Sequence, residues 1–204
     1  MSQLIKIGIL FLSVSLLTAL GAACAKEPGN KGTANSEPIV KTEPAKPMSD
    51  KGDMVATGGD LAFMNDAAAG GMAEVELGKL AASKAQNAEV KAFAQKMIDD
   101  HSKASEDLKN LAAQKKVTLP PDVLPKHKEV MNKLSKLSGA DFDREYVKAM
   151  VEDHEKDVTA FNSVANTATD ADVKAFAAKT LPTLKMHLEM IKEMAAKMGV
   201  QMKT

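Results

Sequence analysis

Tryptophan is absent from this chain, tyrosine and cysteine occur once each, and six phenylalanines complete an aromatic share of only 3%. With so few flat rings there is little on which bases or sugars could stack. A lone cysteine, Cys24, rules out a disulfide within the chain and any centre built on several thiolates. An excess of one charge is also lacking, because 27 Lys and Arg balance 27 Asp and Glu. A dedicated nucleic-acid binder needs a basic surface to displace counterions, so no nucleic-acid partner is expected. No Gly-rich phosphate loop, nucleophile elbow or Ser/His/Asp arrangement occurs.

What is there begins with an apolar run from Ile7 to Leu20, preceded by Lys6 and followed by Gly21-Ala22-Ala23-Cys24. Positive, apolar, then small is the order of a secretory signal, and the run is short for a bilayer span. Residues 1–23 are therefore expected to be a signal peptide, and the protein to work in the periplasm or at the outer membrane. The setting of Cys24 is similar to a bacterial lipobox, although the usual Leu three places before the Cys is here Gly21. Cys24 is the expected lipidation site, and the membrane the expected partner through that lipid anchor. Ordinary cleavage after Ala23 or Ala25 is the alternative. Residues 24–59 hold Pro28, Pro38, Pro44 and Pro47 among Lys, Glu, Gly, Ser and Thr. Such a stretch cannot bury enough apolar surface to offset its ordering entropy and reads as a disordered linker.

From Asp60 onward apolar residues recur at steps of three and four. The spacing predicts helices over 60–85, 88–116, 139–166 and 171–198, with residues 60–199 forming one all-α domain and 200–204 a tail. Asn87 and Asp170 are good N-caps, Ser138 with Asp141 resembles a capping box, and Gly199 suits a helix end. Pro120, Pro121 and Pro125 force the chain out of the second helix, and His127 to Leu137 reads as a short connecting helix. Ala88-Glu89-Val90-Lys91-Ala92-Phe93-Ala94 returns as Ala171-Asp172-Val173-Lys174-Ala175-Phe176-Ala177, so two similar αα-hairpins are expected, packed up-down-up-down as a four-helix bundle. A second echo sets Met97 to Lys103 against Met150 to Lys156.

Three of the four histidines interrupt apolar stripes. His101 follows Val90, Phe93 and Met97; His154 follows Phe142, Tyr146 and Met150; His187 lies between Leu184 and Ile191. In the first long helix Glu74 intrudes similarly, and Glu76 points the opposite way, about 200° round the helix. At about 1.5 Å per residue, Glu74 lies roughly 18 Å before its turn and His101 roughly 20 Å after it; His154 and His187 lie roughly 20 and 25 Å from theirs. All four therefore fall in one slab of the core. Two readings follow. One is a metal centre of Glu74, His101, His154 and His187, suited to zinc, copper or iron. The other is a buried polar cluster that fixes helix register. His127, on the connector, is expected at the surface. A di-iron carboxylate site needs Glu-x-x-His on two helices. Here the nearest forms are Asp99-x-His101 and Glu152-x-His154, whose spacing of two puts each pair on opposite sides of a helix. Met186, Met190, Met194, Met198 and Met202 recur every fourth residue, which drifts about 40° per step and so makes no single face. Pro182 is expected to kink its helix, and Gly70-Gly71 to mark a close helix crossing.

The run Gly70 to Ala81, the segments Asp99-Asp100-His101-Ser102-Lys103 and Asp153-His154-Glu155-Lys156, and Lys179 to Leu184 with His187 closely resemble one bacterial family, the domain of unknown function numbered 4142. Its members are labelled outer-membrane or exported proteins. The resemblance covers about residues 60–197 and implies a ferritin-like four-helix bundle in the cell envelope, with no agreed activity to carry over. The function expected is that of an exported, non-enzymatic bundle that binds a metal ion or a partner in its core. The alternative is metal-dependent redox chemistry, or metal storage and detoxification, at the His/Glu centre.

Overall fold

The computed structural model describes residues 58–202, so the expected signal, Cys24 and nearly all of the linker lie outside the described residues. Five helices follow in order: α1 Gly59–Lys84, α2 Ala88–Gln114, α3 Pro125–Ser135, α4 Gly139–Thr167 and α5 Ala171–Lys197. The described residues contain no strand. None of these helices is long and apolar enough to cross a membrane.

The two hairpin turns are built alike. Asn87 Oδ1 accepts from the amides of Glu89 and Val90 at 2.7 and 3.4 Å, and Asp170 Oδ1 accepts from those of Asp172 and Val173 at 2.9 and 3.1 Å. Each cap satisfies amides that the first helical turn cannot. Each turn is then clamped by the other hairpin. Asp143, in the first turns of α4, accepts from the amides of Gln86 and Asn87 at 3.0 and 2.8 Å. Asp60, at the start of α1, accepts from the amides of Thr169 and Asp170 at 3.1 and 2.8 Å.

These clamps fix the topology. The start of α4 lies at the α1–α2 turn and the start of α1 at the α4–α5 turn, so the two turns are at opposite ends. Ion pairs agree: Lys115 beyond α2 reaches Asp170 and Asp172 at 2.7 Å, and Lys197 at the end of α5 reaches Glu89 at 3.6 Å. The helices therefore run up-down-down-up, not up-down-up-down as expected. The segment carrying α3 crosses from one end to the other, packed on α1 and α4. Around the bundle the order is α1, α2, α5, α4.

Several local expectations change. Pro125 opens α3 at its first turn, two residues earlier than expected, where a missing amide costs nothing. Ser138 makes no side-chain cap: Gly139 takes φ +56° directly after it, and Asp141 pairs with Arg144 instead. The close crossing is at Gly78, where an added Cβ would stand 2.9 Å from Ile98 Cγ1 and 3.0 Å from the Ala94 carbonyl. At Gly70 a Cβ would meet nothing within 4 Å, and at Gly71 only the Ser105 hydroxyl. Helix α5 continues through Pro182, which lies on its exposed side. Gly199 ends α5 at φ +64°, and beyond it Val200 and Met202 pack against the core.

Apolar burial is in two clusters. One gathers Leu77, Phe93, Met97, Phe142, Tyr146, Met150 and Ile191 near the α1–α2 turn. The other gathers Phe63, Met64, Leu108, Phe161, Phe176 and Leu184 near the α4–α5 turn. On all four long helices a single polar residue separates them: Glu74, His101, His154 and His187.

Candidate metal centre

The four residues that interrupt the stripes form one buried layer. His154 and His187 are 0% exposed, Glu74 1% and His101 6%. The ring centroids lie 5.4 to 5.7 Å apart, nearly an equilateral triangle. One ring nitrogen from each of His101, His154 and His187 lies within 4.8 Å of the other two. Phe93 meets His154 and His187 edge-on at 6.5 and 6.1 Å and closes the layer on one side.

The outer nitrogen of each ring has a partner. His101 Nδ1 stands 2.7 Å from Glu74 Oε2. His154 Nδ1 donates to the Met150 carbonyl at 3.0 Å. His187 Nε2 donates to Asp100 Oδ2 at 2.8 Å, and Lys96 supports Asp100 at 3.0 Å. The inner nitrogens, His101 Nε2, His154 Nε2 and His187 Nδ1, find no hydrogen-bond partner among the described residues. A carbonyl only accepts, so the His154 proton is fixed on Nδ1 and its lone pair on Nε2. The Asp100 carboxylate fixes His187 in the same way, with the lone pair on Nδ1.

Glu74 is not part of the trio whose ligand atoms lie within 4.8 Å of one another. Its carboxylate faces Nδ1 of His101 and lies 3.5 Å from Nδ1 of His154, behind both rings. It can orient two histidines, and the converging set is three imidazoles, not three imidazoles and a carboxylate. Glu76 is exposed and pairs with Lys79 at 2.8 Å, as the stripe predicts. His127 is buried, contrary to expectation: it is 7% exposed, accepts from the Leu124 amide at 3.3 Å and faces a cavity lined from all five helices. The methionine row divides. Met194 is core, Met198 and Met202 are partly buried, and Met186 and Met190 are exposed.

Burial decides the charge states. It lowers His101 to about 4 against the pull of Asp100 and Asp153. It lowers His187 to about 4 although the Asp100 hydrogen bond opposes it, and it lowers His154 despite Glu74. Burial raises Glu74 to about 8, partly offset by His154 and reinforced by Asp153. For Asp100 burial also pushes upward, but hydrogen bonds from His187 and Lys96 outweigh it and hold the carboxyl below its usual range. The histidines are therefore neutral at physiological pH, the form that binds metals.

Sequence reasoning missed two partners. Asp100 adjoins His101 in sequence but serves His187 on another helix. The Met150 carbonyl is a backbone group, invisible to side-chain patterns.

The fold and the layer define a class: a helical bundle of two clamped hairpins with three convergent imidazoles at mid-height. Residues 45–194 match the model of a family described as a domain of unknown function, DUF4142, and the chain belongs to that family. No curated protein matches it. Among solved structures it is similar to a DUF305 protein from Streptomyces coelicolor described as secreted, with 15% identity over 72% of this chain and 98% of that one, at TM-score 0.61. It is also similar to a DUF305 fragment from Deinococcus radiodurans, with 13% identity over 70% of this chain and 98% of that one, at TM-score 0.61. A third is CopM in the Cu(II)-bound form, with 17% identity over 68% of this chain and 96% of that one, at TM-score 0.59. At these identities the likeness is one of fold.

Proposed function

We propose that this protein binds one transition-metal ion, Cu(II) before Zn(II), through His101 Nε2, His154 Nε2 and His187 Nδ1. The observation that carries this reading is a buried trio of histidines, each bringing a ring nitrogen within 4.8 Å of the other two and each keeping one buried nitrogen without a hydrogen-bond partner among the described residues. Leaving a buried polar atom unpaired costs about 1–3 kcal/mol, so three would cost several kcal/mol, a large part of a typical domain's stability. A polar cluster that served only helix register would be expected to pair these atoms with one another. A metal uses all three lone pairs, and the carboxylates and carbonyl behind the rings are the partners that metal-bound histidines usually have. Three nitrogen donors suit copper and zinc, and copper binds more tightly at a given nitrogen site. That the similar fold of CopM holds Cu(II) is compatible with this choice.

The role proposed is sequestration within the envelope, with no turnover. The bundle is ferritin-like in having one long crossover between two hairpins. Export by residues 1–23 and tethering at a diacylated Cys24 complete the reading. Palmitate labelling that is lost in Cys24→Ser checks the tether.

The metal test uses the mature chain extracted from cell membranes in mild detergent and purified without a polyhistidine tag. Elemental analysis is expected to give one copper or zinc per chain. Cu(II) electron paramagnetic resonance is expected to show coupling to nitrogen. Each of His101→Ala, His154→Ala and His187→Ala should abolish stoichiometric binding while the helical circular dichroism persists. Absence of metal from the unaltered chain, with none taken up from micromolar solutions, overturns the reading.

A further inference from the structure

A cavity of about 180 Å³ lies against the histidine layer, and its lining includes Asp66, Gly70, Glu74, His101, Asp153 and Asp157. It joins exposed residues to buried ones: Asp66 is at the surface, whereas Glu74 and His101 belong to the centre. We infer that this cavity is the route by which a hydrated divalent cation reaches the three histidines, handed inward by carboxylate oxygens. The inference rests on the metal reading above.

Four features carry it. First, the volume holds on the order of six waters at about 30 Å³ each, a full hydration shell. Second, Asp153 and Asp157 are one turn apart on α4, and Asp66, Gly70 and Glu74 follow one another at steps of four on α1, so carboxylates face the cavity from two helices. Third, Glu74, which lines the cavity together with His101, keeps its buried Oε1 without a hydrogen-bond partner among the described residues. Fourth, Gly70 leaves its part of the wall without a side chain, and a Cβ there would meet nothing within 4 Å. Four carboxyl groups, each offering oxygen atoms to a cation, line the cavity beside two lysines, Lys126 and Lys156. Oxygen ligands can replace a cation's waters one at a time before imidazoles take it up.

A route changes rates and leaves the end states alone. Stopped-flow mixing of the mature full chain with Cu(II) gives the association rate, and competition with a chelator gives the affinity. The Asp153→Asn/Asp157→Asn double variant is expected to load at least about tenfold more slowly, with affinity within about threefold of the unaltered chain. Gly70→Leu, which fills the cavity without removing charge, should slow loading and release alike. Either variant loading at the unaltered rate overturns the inference, as does a fall in affinity at an unchanged association rate. Failure of the unaltered chain to bind Cu(II) at all would instead sink the metal reading, so the two failures are distinguishable.

Discussion

At the scale of single residues, each imidazole of the layer has one nitrogen committed and one free, and the committed partner sets ring orientation. Asp100 isolates that effect, because it touches His187 without being among the converging donors. Asp100→Asn is expected to weaken Cu(II) binding about 10–100-fold with one ion still bound, measured by chelator competition. An unchanged affinity would reduce Asp100 to a surface partner of Lys96. The same residues make the metal-free protein sensitive to pH. His101 and His187 stay neutral down to about 4 when folded but take up protons near 6.5 when unfolded. Their contribution is full above pH 6.5 and is lost as pH falls toward 4. Glu74 acts oppositely: it ionises near 8 when folded and near 4.5 when unfolded, so it destabilises increasingly between those values. Stability of the metal-free chain, read by urea unfolding, should therefore decline on the acid side of pH 6.5. Glu74→Gln should gain on the unaltered chain by a few kcal/mol between pH 5 and 8, and a gap that does not widen with pH would refute this assignment. The histidines and Glu74 were legible in the sequence because steps of three and four reveal which residues point inward. Ring orientation was not, since it depends on a backbone carbonyl and on Asp100 across a helix boundary.

At the scale of elements, the hairpins hold each other by crossed clamps. Asp60 and Asp143 stand at the same sequence interval from each other as Asn87 and Asp170 do, so the duplication extends beyond the echo beginning at Ala88. Asp143→Ala leaves two amides at the α1–α2 turn without their acceptor and should cost about 1–3 kcal/mol in urea unfolding. A cost under 0.5 kcal/mol, the usual limit for a surface change, would mean that water replaces the carboxylate. The glycines of α1 offer a paired test. Gly78→Ala drives a Cβ against Ile98 and the Ala94 carbonyl and should destabilise by about 1–3 kcal/mol. Gly70→Ala meets open space and should stabilise by up to about 1 kcal/mol through helix propensity. If both behave alike, the crossing has been misplaced. Helix existence and both hairpin caps were readable from sequence, because caps and periodicity are local. The place of closest helix approach was not, because it depends on what the facing helix presents.

At the scale of the whole molecule, the helices run in a different order from the one expected while the four polar residues share one layer as expected, and one fact explains both. Short turns establish that each hairpin is antiparallel but say nothing of how one hairpin is oriented on the other; the crossover carrying α3 decides that. Helices of 26 to 29 residues are about 40 Å long. A residue roughly 20 Å from one end is then equally far from the other, and inverting a hairpin leaves the layer level. The placement would give the proposed ion a global role. His101 belongs to the first hairpin, and His154 and His187 to the second, so an ion bound by all three would link the two halves at the polar layer between the two apolar clusters. Ligand held only by the folded state stabilises it by about 4 kcal/mol at a thousandfold excess over the dissociation constant. For a domain of this size each kcal/mol is worth roughly 2–4 °C in Tm. Cu(II) at that excess should therefore raise Tm by roughly 8–16 °C, and His101→Ala should remove the increment, because the first hairpin then has no donor in the centre. If instead His101→Ala keeps most of the increment, the ion is held by the second hairpin alone, and the centre does not join the halves.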